Sequence, residues 1–411
     1  MSSWVPGAAG SGFDVDHLPY GVFALPGEEA RVGVRIGDRV LDLSPVARLV
    51  GGSGQAYRLA AVLAEPSLDD FLALGPPAWR TARDWVAGVL TDESTREHLE
   101  PHLHPVADAT LRLPFTVADY VDFYASEHHA ANVGRMFRPD GEPLTPNWKH
   151  LPIGYHGRAG TVVVGGTDVV RPCGQYKPVD APAPLFGASR RLDIEAELGY
   201  VVGVGSELGR PAGAFADHVF GVTLLNDWSA RDLQGWEYVP LGPFLGKSFA
   251  TSVSPWVTPL AALQAARLPL PAQDPEPLPY LQVADASAYD IAVEVVLDGE
   301  VVSRPPYSAM YWSPEQMLAH MTVNGASLRT GDLFASGTVS GPERDQRGCL
   351  LELSWGGKQP FVAGGRERTF LEDGDEVVLR ASAPGALGGR ITLGECAGRI
   401  LPARSDQSSF S

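Results

Sequence analysis

The sequence predicts a mainly β protein with some α-helix, built from a small N-terminal domain and a larger C-terminal one. Its 411 residues favour two or three domains over a single one. The 46 glycines and 35 prolines imply many turns, as in a β-rich chain with long shaped loops. After residue 116, short apolar segments recur between turn signals, with few helical patterns between them. This order of elements favours a large antiparallel or mixed β-domain over a doubly wound sheet.

The first 116 residues contain both strand and helix patterns. Residues 1–15 contain glycine and serine and are expected to form a loose arm. The segment "RVGVRIGDRVLDL" (31–43) alternates apolar residues on both sides of Gly37-Asp38, which predicts a hairpin. Helical patterns follow at 54–64, 67–75 and 78–90, with Ser67 as a candidate N-cap of the second. Residues 100–116 are irregular and contain prolines, so we place a boundary there, between domains 1–116 and 117–411.

The larger domain contains many short strand candidates and one well-marked helix. The helix pattern is "SPEQMLAHMTVNG" (313–325), with Ser313 as N-cap, Pro314 at the first position and Asn324-Gly325 as the stop signal. The strand candidates are "TVVVGG", "VVGVG", "VFGVTLL", "IAVEVVLDGEVV", "DLFASGTVSG", "LLELSW" and "EVVLRA".

Charge and composition exclude several classes of partner. The formal net charge of −17 argues against nucleic acid or an anionic membrane surface as the main partner. The cysteines Cys173, Cys349 and Cys396 form neither a disulfide framework nor a metal-binding spacing. The N-terminal segment lacks the basic and apolar regions of a secretory signal, and no apolar run reaches the length of a membrane span. We therefore expect a cytoplasmic protein.

Three familiar catalytic or cofactor motifs fail. The segment "GPFLGKS" (242–248) has three residues between its glycines, where a phosphate-binding loop needs four. The segment "GVGSELG" (203–209) misses the dinucleotide spacing by one residue, and the chain contains no Gly-x-Ser-x-Gly elbow. No organic cofactor is therefore expected.

The segment "LDIEAELGY" (192–200) places an acid at every second position. On a β-strand, Asp193, Glu195 and Glu197 would share one face, roughly 7 Å apart. Such a pattern fits a strand with one solvated face. It also fits a bound divalent cation, because carboxylate oxygens are good ligands for hard cations and like charges repel without one.

Three other segments carry unusual polar residues. From Ser126, "DYVDFYASEHHAANVGRMFR" (119–138) predicts a helix that buries Ala130, Val133 and Phe137 and carries the pair His128-His129. The segment "NWKHLPIGYHGRAG" (147–160) places Tyr155, His156 and Arg158 in a glycine-containing turn. The third segment, 226–252, starts with Asp227 at a strand end. Its aromatic and charged residues fit a pocket wall or a surface against a partner subunit.

Acids at 122, 195, 197 and 227 would form an all-oxygen site for Mg²⁺ or Ca²⁺, although spacing alone does not bring them together. From the residues alone, the sequence therefore predicts a metal-dependent enzyme and no particular reaction.

These segments, together with "PWV", "LFASGTVSG" and "LLELSW", resemble the fumarylacetoacetate hydrolase family over nearly the whole chain. The resemblance implies an SH3-like N-terminal barrel and a C-terminal mixed β-sandwich roll, in a homodimer. It implies a hydrolase that acts on carbon–carbon bonds in ketonic substances. The implied reaction splits fumarylacetoacetate, a small diketo acid, into fumarate and acetoacetate, the last step of tyrosine and phenylalanine catabolism.

The resemblance also assigns roles to residues. The implied general base is His129 with Glu352 as its partner carboxylate, and the implied oxyanion-stabilising group is Arg231, Gln234 and Lys247. A second metal site is implied at Asp227, Lys247 and Thr251, with the backbone carbonyl of Lys247 as the expected donor. The implied main metal ligands are Asp122, Glu195, Glu197 and Asp227. The implied substrate contacts are Tyr124, Arg138, Tyr155, Gln234, Tyr238 and Thr338.

Two alternatives remain at this point. One is a related enzyme on the same scaffold, an acylpyruvate hydrolase or a β-keto-acid decarboxylase, against which the His129–Glu352 pair argues. The other is a non-enzymatic Ca²⁺-binding structural protein, which would not need a histidine, an arginine and a lysine at its site. The alternating run that contains Glu352 also fits an exposed acid on a strand. The resemblance gives Asp193 no role as a ligand, so an acid on a strand face is the expectation for it.

Overall fold

The computed structural model describes residues 2–49 and 55–404, and it confirms the predicted fold class. The chain is mainly β with some α-helix, with a small N-terminal domain and a large C-terminal sheet domain. Among the described residues, no helix combines the length and apolar character needed to cross a membrane.

The N-terminal region consists of antiparallel strands with helices packed beside them. The strands are β1 (Tyr20–Ala24), β2 (Arg31–Ile36), β3 (Arg39–Asp42), β4 (Leu103–Pro105) and β5 (Thr110–Arg112), and the helices are α1 (Leu43–Leu49), α2 (Gln55–Val62), α3 (Asp69–Ala73), α4 (Pro76–Thr91) and α5 (Arg96–Leu99). The pairing order is β4-β3-β2-β1, with β5 also on β1. The predicted hairpin is confirmed as β2–β3. The predicted helix 54–64 is confirmed as α2, and its first residue lies outside the described range.

Three local expectations are wrong in detail. The described part of the expected arm, residues 2–15, is packed, because Val5, Ala8 and Phe13 are buried and the Trp4 indole donates to the Val89 carbonyl at 2.9 Å. Ser67 precedes the N-cap of α3 by one residue and accepts the Asp69 N–H at 3.2 Å instead. The segment 100–116 contains β4 and β5, whose three-residue lengths are too short to show a periodicity.

The C-terminal region holds most of the strands. They are β6 (Asp119–Phe123), β7 (Gly154–His156), β8 (Val162–Val164), β9 (Val169–Val170), β10 (Cys173–Tyr176), β11 (Leu185–Ala188), β12 (Leu192–Asp193), β13 (Ala196–Val202), β14 (Val219–Asp227), β15 (Ser229–Ala230), β16 (Thr251–Val253), β17 (Trp256–Pro259), β18 (Arg267–Pro269), β19 (Ser287–Tyr289), β20 (Ala292–Leu297), β21 (Glu300–Ser303), β22 (Asp332–Ala335), β23 (Phe361–Ala363), β24 (Arg366–Arg368), β25 (Glu376–Pro384), β26 (Arg390–Thr392) and β27 (Cys396–Leu401).

Helices in this region are few and mostly short. They are α6 (Glu127–Phe137), α7 (Phe215–His218), α8 (Arg231–Glu237), α9 (Pro314–Thr322) and α10 (Leu350–Leu353). The predicted helix at 313–325 is confirmed as α9, where Ser313 and Gln316 form a reciprocal capping box. Short 3₁₀ helices of the N-terminal region lie at Glu93–Thr95, Glu100–His102 and Val106–Asp108. Those of the C-terminal region lie at Ala159–Thr161, Leu260–Ala266, Pro279–Leu281, Tyr307–Ala309 and Arg344–Gln346.

One large mixed sheet runs through both regions. Its order is β4-β3-β2-β1-β17-β14-β13-β22-β6-β7, with β16 between β14 and β8. The pairs β22–β6 and β16–β8 are parallel, and the other pairs along this path are antiparallel. A second sheet has the order β21-β20-β25-β27-β9, with β26 on β25. The first sheet contains strands from both sides of the proposed boundary near residue 116, so the sheet does not divide the chain there. The boundary stays a prediction.

The central strands β13 and β14 are covered on both faces, since every residue of both strands is buried. On β13, Leu198 and Tyr200 belong to the main C-terminal core, whereas Val201 belongs to the core shared with the N-terminal helices. The alternation at 192–200 therefore does not mark a solvated face, because Asp193, Glu195 and Glu197 are all buried.

Candidate active site

Four acids meet at one end of the central sheet. Strands β6, β14 and β22 run in one direction and β13 in the other, so the carboxyl ends of β6 and β14 lie beside the start of β13. Asp122 and Asp227 lie at those carboxyl ends, Glu195 directly precedes β13, and Glu197 is the second residue of β13. One carboxylate oxygen from each of the four lies within 4.8 Å of the others. We call these four residues the acid cluster.

The electrostatics of the acid cluster fit a bound cation. Burial, followed by the charge of Asp227, raises the pKa of Asp122 well above its usual value. Burial and then the charge of Asp122 do the same to the pKa of Glu197. Among the described residues, Asp122 Oδ1 and Glu197 Oε1 have no hydrogen-bond partner although both are buried. Two free carboxylate oxygens in a dry cluster of acids are suitable ligands for a hard divalent ion.

Lys247 supplies one positive charge to the acid cluster. Its ammonium lies 2.6 Å from Asp227 Oδ2 and also contacts Glu195. Burial by itself lowers the pKa of Lys247, but Asp227 and Glu195 outweigh burial and raise it. The Thr251 hydroxyl donates to Asp227 Oδ1 at 3.1 Å. The resemblance made the Lys247 carbonyl the expected metal donor, whereas the structure places the charged side chain of Lys247 against the acids.

A smaller cavity of about 130 Å³ is lined by Asp227. Lys247 and Thr251 line it with Asp227, so the three residues expected at a second metal site do come together. His156 and Arg158, from the glycine-containing turn, line the same cavity.

His129 and Glu352 form a hydrogen-bonded pair. Ser126 caps α6 by accepting the His129 N–H at 3.2 Å, so the cap fixes the turn that carries the histidine. His129 Nδ1 lies 2.6 Å from Glu352 Oε2, which favours the tautomer with the proton on Nδ1. His129 Nε2 then faces Glu195 Oε1 at 4.0 Å. The neighbouring His128 is half-buried and does not line the main cavity described below.

Hydrogen bonds keep Glu352 ionised. Burial alone would raise the pKa of Glu352, but His129, with donors from Asn132 and Ser340, lowers it to about 2. The Asn132 amide donates at 2.9 Å and the Ser340 hydroxyl at 2.8 Å. The Cys349 thiol lies 3.2 Å from the same carboxylate. A carboxylate held this way can orient the imidazole and stabilise it when protonated.

The expectation of a strand at "LLELSW" is wrong. Residues 350–353 form helix α10, and Glu352 is fully buried. The Asp193 carboxylate accepts the N–H groups of Leu350 and Leu351 at 2.7 and 3.0 Å, which stabilises this helical turn. The short pattern at residues 350–353 could not reveal that Asp193, distant in the sequence, bonds to their backbone.

A cavity of about 430 Å³ is lined by His129 and by Asp122 and Glu195 of the acid cluster. This volume is typical of a small-molecule site. Its apolar wall includes Phe137, which was expected to be buried and is instead about half exposed at the cavity. All residues expected to contact substrate line this cavity: Tyr124, Arg138, Tyr155, Gln234, Tyr238 and Thr338.

Two unpaired donors line the cavity. Arg231 Nη2 and Thr338 Oγ1 are buried and have no hydrogen-bond partner among residues 2–49 and 55–404. Arg231 Nη1 donates to Gln234 Oε1 at 3.1 Å, which leaves the Gln234 amide N–H groups to donate elsewhere. Free donors beside free acceptors indicate a site for a polar ligand rather than a packed core.

The sequence did not reveal every residue that builds the site. Asn132 and Ser340 both donate hydrogen bonds to the Glu352 carboxylate. Only Asn132 had a signal in the sequence, because it lies three residues after His129 on a predicted helix. The expectation that Asp193 is an ordinary strand-face acid is wrong, because it is fully buried and pairs with Arg231 at 2.8 Å.

The geometry defines an enzyme-like cleft with an acid cluster, an oriented histidine and unpaired donors. Two family models match the chain: Fumarylacetoacetase N-terminal over residues 16–114 and Fumarylacetoacetate (FAA) hydrolase C-terminal over residues 119–400. The fumarylacetoacetase of Homo sapiens is 48% identical, over 98% of this chain and 99% of its own. The fumarylacetoacetase of Arabidopsis thaliana is 44% identical over the same shares. The chain belongs to the fumarylacetoacetase family, whose members are hydrolases of carbon–carbon bonds.

The fold is also similar to that of a solved structure. The fumarylacetoacetate hydrolase from psychrophilic Exiguobacterium antarcticum has a TM-score of 0.55 at 17% identity, covering 94% of this chain and 100% of that one. At this identity the likeness concerns the fold alone.

The unpaired oxygen of Glu197 leads to a prediction about metal binding. Glu197→Gln removes one charge from the acid cluster, so a divalent cation should bind at least about tenfold more weakly, measured by calorimetric titration. Glu315→Gln changes another buried acid, which faces Ser287 and Tyr289, and should leave the affinity unchanged. Equal affinity of Glu197→Gln and wild type would show that the acid cluster is not the site.

Proposed function

We propose that this protein hydrolyses fumarylacetoacetate to fumarate and acetoacetate, the last step of tyrosine and phenylalanine catabolism. The observation that carries the proposal is that His129, paired with Glu352, faces Glu195 of the acid cluster, and that both residues line one cavity. Full-length similarity to fumarylacetoacetases supports the choice of substrate.

The reaction requires water to be activated. His129 Nε2 is the ring nitrogen that is not hydrogen-bonded to Glu352, and it takes a proton from a water molecule. The oxygen of that water attacks the substrate carbonyl beside the alkene. The Glu352 carboxylate stabilises the resulting imidazolium. When the carbon–carbon bond breaks, the same proton is available to the departing carbon, so the products are one carboxylic acid and one β-keto acid.

Charge develops on the attacked carbonyl oxygen. Arg231 Nη2, the Gln234 amide and the Lys247 ammonium are the donors proposed to stabilise this oxyanion. A divalent cation held by Asp122, Glu195, Glu197 and Asp227 would supply Lewis-acid stabilisation of the departing enolate. Mg²⁺ or Ca²⁺ suits this all-oxygen ligand set.

The remaining residues of the cavity bind the substrate in this proposal. Arg138 and the hydroxyls of Tyr124, Tyr155 and Tyr238 are suited to its two carboxylates, and Thr338 adds a buried donor. A second divalent ion is proposed at Asp227, Lys247 and Thr251, and the adjoining 130 Å³ cavity supports this.

The proposed activity is tested by a direct assay. The purified protein is incubated with fumarylacetoacetate, an acylpyruvate or a β-keto acid, each with and without exhaustive chelation followed by metal replacement. We expect turnover of fumarylacetoacetate only, lost on chelation and restored by Mg²⁺ or Ca²⁺. Preference for the acylpyruvate, or decarboxylation of the β-keto acid, would assign one of the related activities instead. Full activity after chelation would exclude the metal-dependent mechanism.

The two adjacent histidines should differ in function. Neighbours on a helix point about 100° apart, so they cannot both face the same water molecule. His129→Asn should lower kcat by on the order of 10²–10⁴, with metal affinity and folding nearly unchanged. His128→Asn is the matched control and should stay within about threefold of wild type. An inactive His128→Asn variant together with an active His129→Asn variant would show that the general base is not His129.

We also propose that the protein is a cytoplasmic homodimer. The segment 236–245 exposes Trp236, Val239, Leu241 and Leu245, an apolar surface beside the cavity mouth that suits a subunit contact. Cys173, Cys349 and Cys396 are free thiols, as in proteins of reducing compartments.

The dimer proposal predicts a specific effect of charge at the segment 236–245. Wild-type protein should sediment as a dimer at micromolar concentration, and Leu245→Asp should shift it towards monomer because it places a charge in the contact. Val362→Asp changes another exposed apolar residue, outside the segment, and should have no effect. A monomeric wild-type protein would contradict the proposal.

A further inference from the structure

Asp193 is fully buried, and four donors use both of its oxygens. Oδ1 accepts the N–H groups of Ile194 and Leu350 at 2.8 and 2.7 Å. Oδ2 accepts the N–H of Leu351 at 3.0 Å and the Arg231 Nε–H at 2.8 Å. Three backbone groups thus fix the carboxylate, and the fixed carboxylate holds one edge of the Arg231 guanidinium. The bonded backbone segment also carries Glu352.

Two nitrogens of the Arg231 guanidinium, Nε and Nη1, are held by hydrogen bonds. Asp193 holds Nε, and Glu195 and Gln234 accept from Nη1 at 2.8 and 3.1 Å. Because the guanidinium is planar and rigid, two fixed nitrogens also fix Nη2, the buried donor that lacks a partner. Without Asp193, the remaining attraction is towards Glu195, at the acid cluster. The guanidinium would then be free to turn about that contact.

We infer that Asp193 is a positioning residue, which fixes the Arg231 guanidinium so that Nη2 stays at the place where the oxyanion forms. The inference rests on the proposed function, in which Arg231 stabilises that oxyanion. Asp193 itself touches neither the cavity nor the substrate, since it is not among the residues that line it. Its effect on the reaction passes through Arg231.

A merely structural ion pair is the alternative, and the chain contains a matched example. Asp375 is also buried, pairs with Arg368 at 2.9 and 3.1 Å, and accepts the Glu372 backbone N–H at 2.7 Å. Neither Asp375 nor Arg368 lines the main cavity. Asp375→Asn therefore reproduces the loss of a buried Asp–Arg pair without touching the site.

The test compares Asp193→Asn with Asp375→Asn in the metal-loaded protein. Asparagine keeps the shape but replaces one acceptor oxygen by a donor, so Arg231 loses its fixed partner. We expect kcat of Asp193→Asn to fall about 10- to 100-fold with KM within about threefold, because the lost contribution belongs to the transition state. Asp375→Asn should keep the wild-type kcat, whatever its effect on the melting temperature.

A double-mutant cycle shows whether the effect passes through Arg231. In an Arg231→Gln background, adding Asp193→Asn should change kcat by less than about threefold, because the positioned group is already absent. This comparison also decides the question if Asp193→Asn alone does not fold, since the double variant contains no unpaired Arg231. A further loss of tenfold or more in that background would overturn the inference. A kcat of folded Asp193→Asn within threefold of wild type, a rise in KM alone, or an equal loss of kcat in Asp375→Asn would also overturn it.

Crystal structures of the variants separate this inference from the proposed function. If the wild-type protein does not hydrolyse fumarylacetoacetate, the proposed function fails, whereas the position of Arg231 can still be measured. A guanidinium displaced by more than about 1 Å in Asp193→Asn and unmoved in Asp375→Asn supports the positioning role. An unmoved guanidinium in Asp193→Asn overturns it.

Discussion

Burial of several carboxylates at one point is the constraint on which the rest of the structure depends. Asp122, Glu195, Glu197 and Asp227 lie together and are all buried, where like charges are costly. Lys247 and Arg231 contribute positive charge, but they do not compensate all the acids. Asp122, Glu197 and Asp227 have raised pKa values as a result, and a divalent cation would remove the cause of those shifts.

The sheet architecture makes this arrangement possible. Strand β13 lies antiparallel between β14 and β22, so its start lies beside the carboxyl end of β14 at one end of the sheet. Acids distant in the sequence therefore become neighbours. The N-terminal helices and strands cover the second face of the same sheet and keep water from it. In this sense the small domain supports the site without supplying any of the residues to which we assign a role.

The reacting groups are oriented by residues that do not line the cavity. Ser340 fixes Glu352, which fixes His129, and Asp193 holds Arg231. Each of these bonds is buried, where an unsatisfied partner is costly, so each side chain has one favoured orientation. Preorganised donors and bases of this kind need little rearrangement when charge develops in the reaction.

Local structure was largely readable from the sequence. The N-cap at Ser313, the helix start near Ser126 and the hairpin at Gly37-Asp38 were predicted from neighbouring residues, because turns and caps depend on side chains a few positions apart. Residue types likewise indicated the acids of the cluster, although spacing alone did not show that they meet, and only the family resemblance selected His129.

Contacts between distant residues were decided only by the tertiary structure. Asp193 looked like a solvated strand acid, yet it binds the backbone of Leu350, 157 positions away. The run at Glu352 alternated like a strand and folded as a helix, because that distant carboxylate holds its N–H groups. The sequence by itself determined which groups are available for the chemistry. Tertiary structure decided which of them are buried together, because burial and pairing arise from packing between segments far apart in the chain.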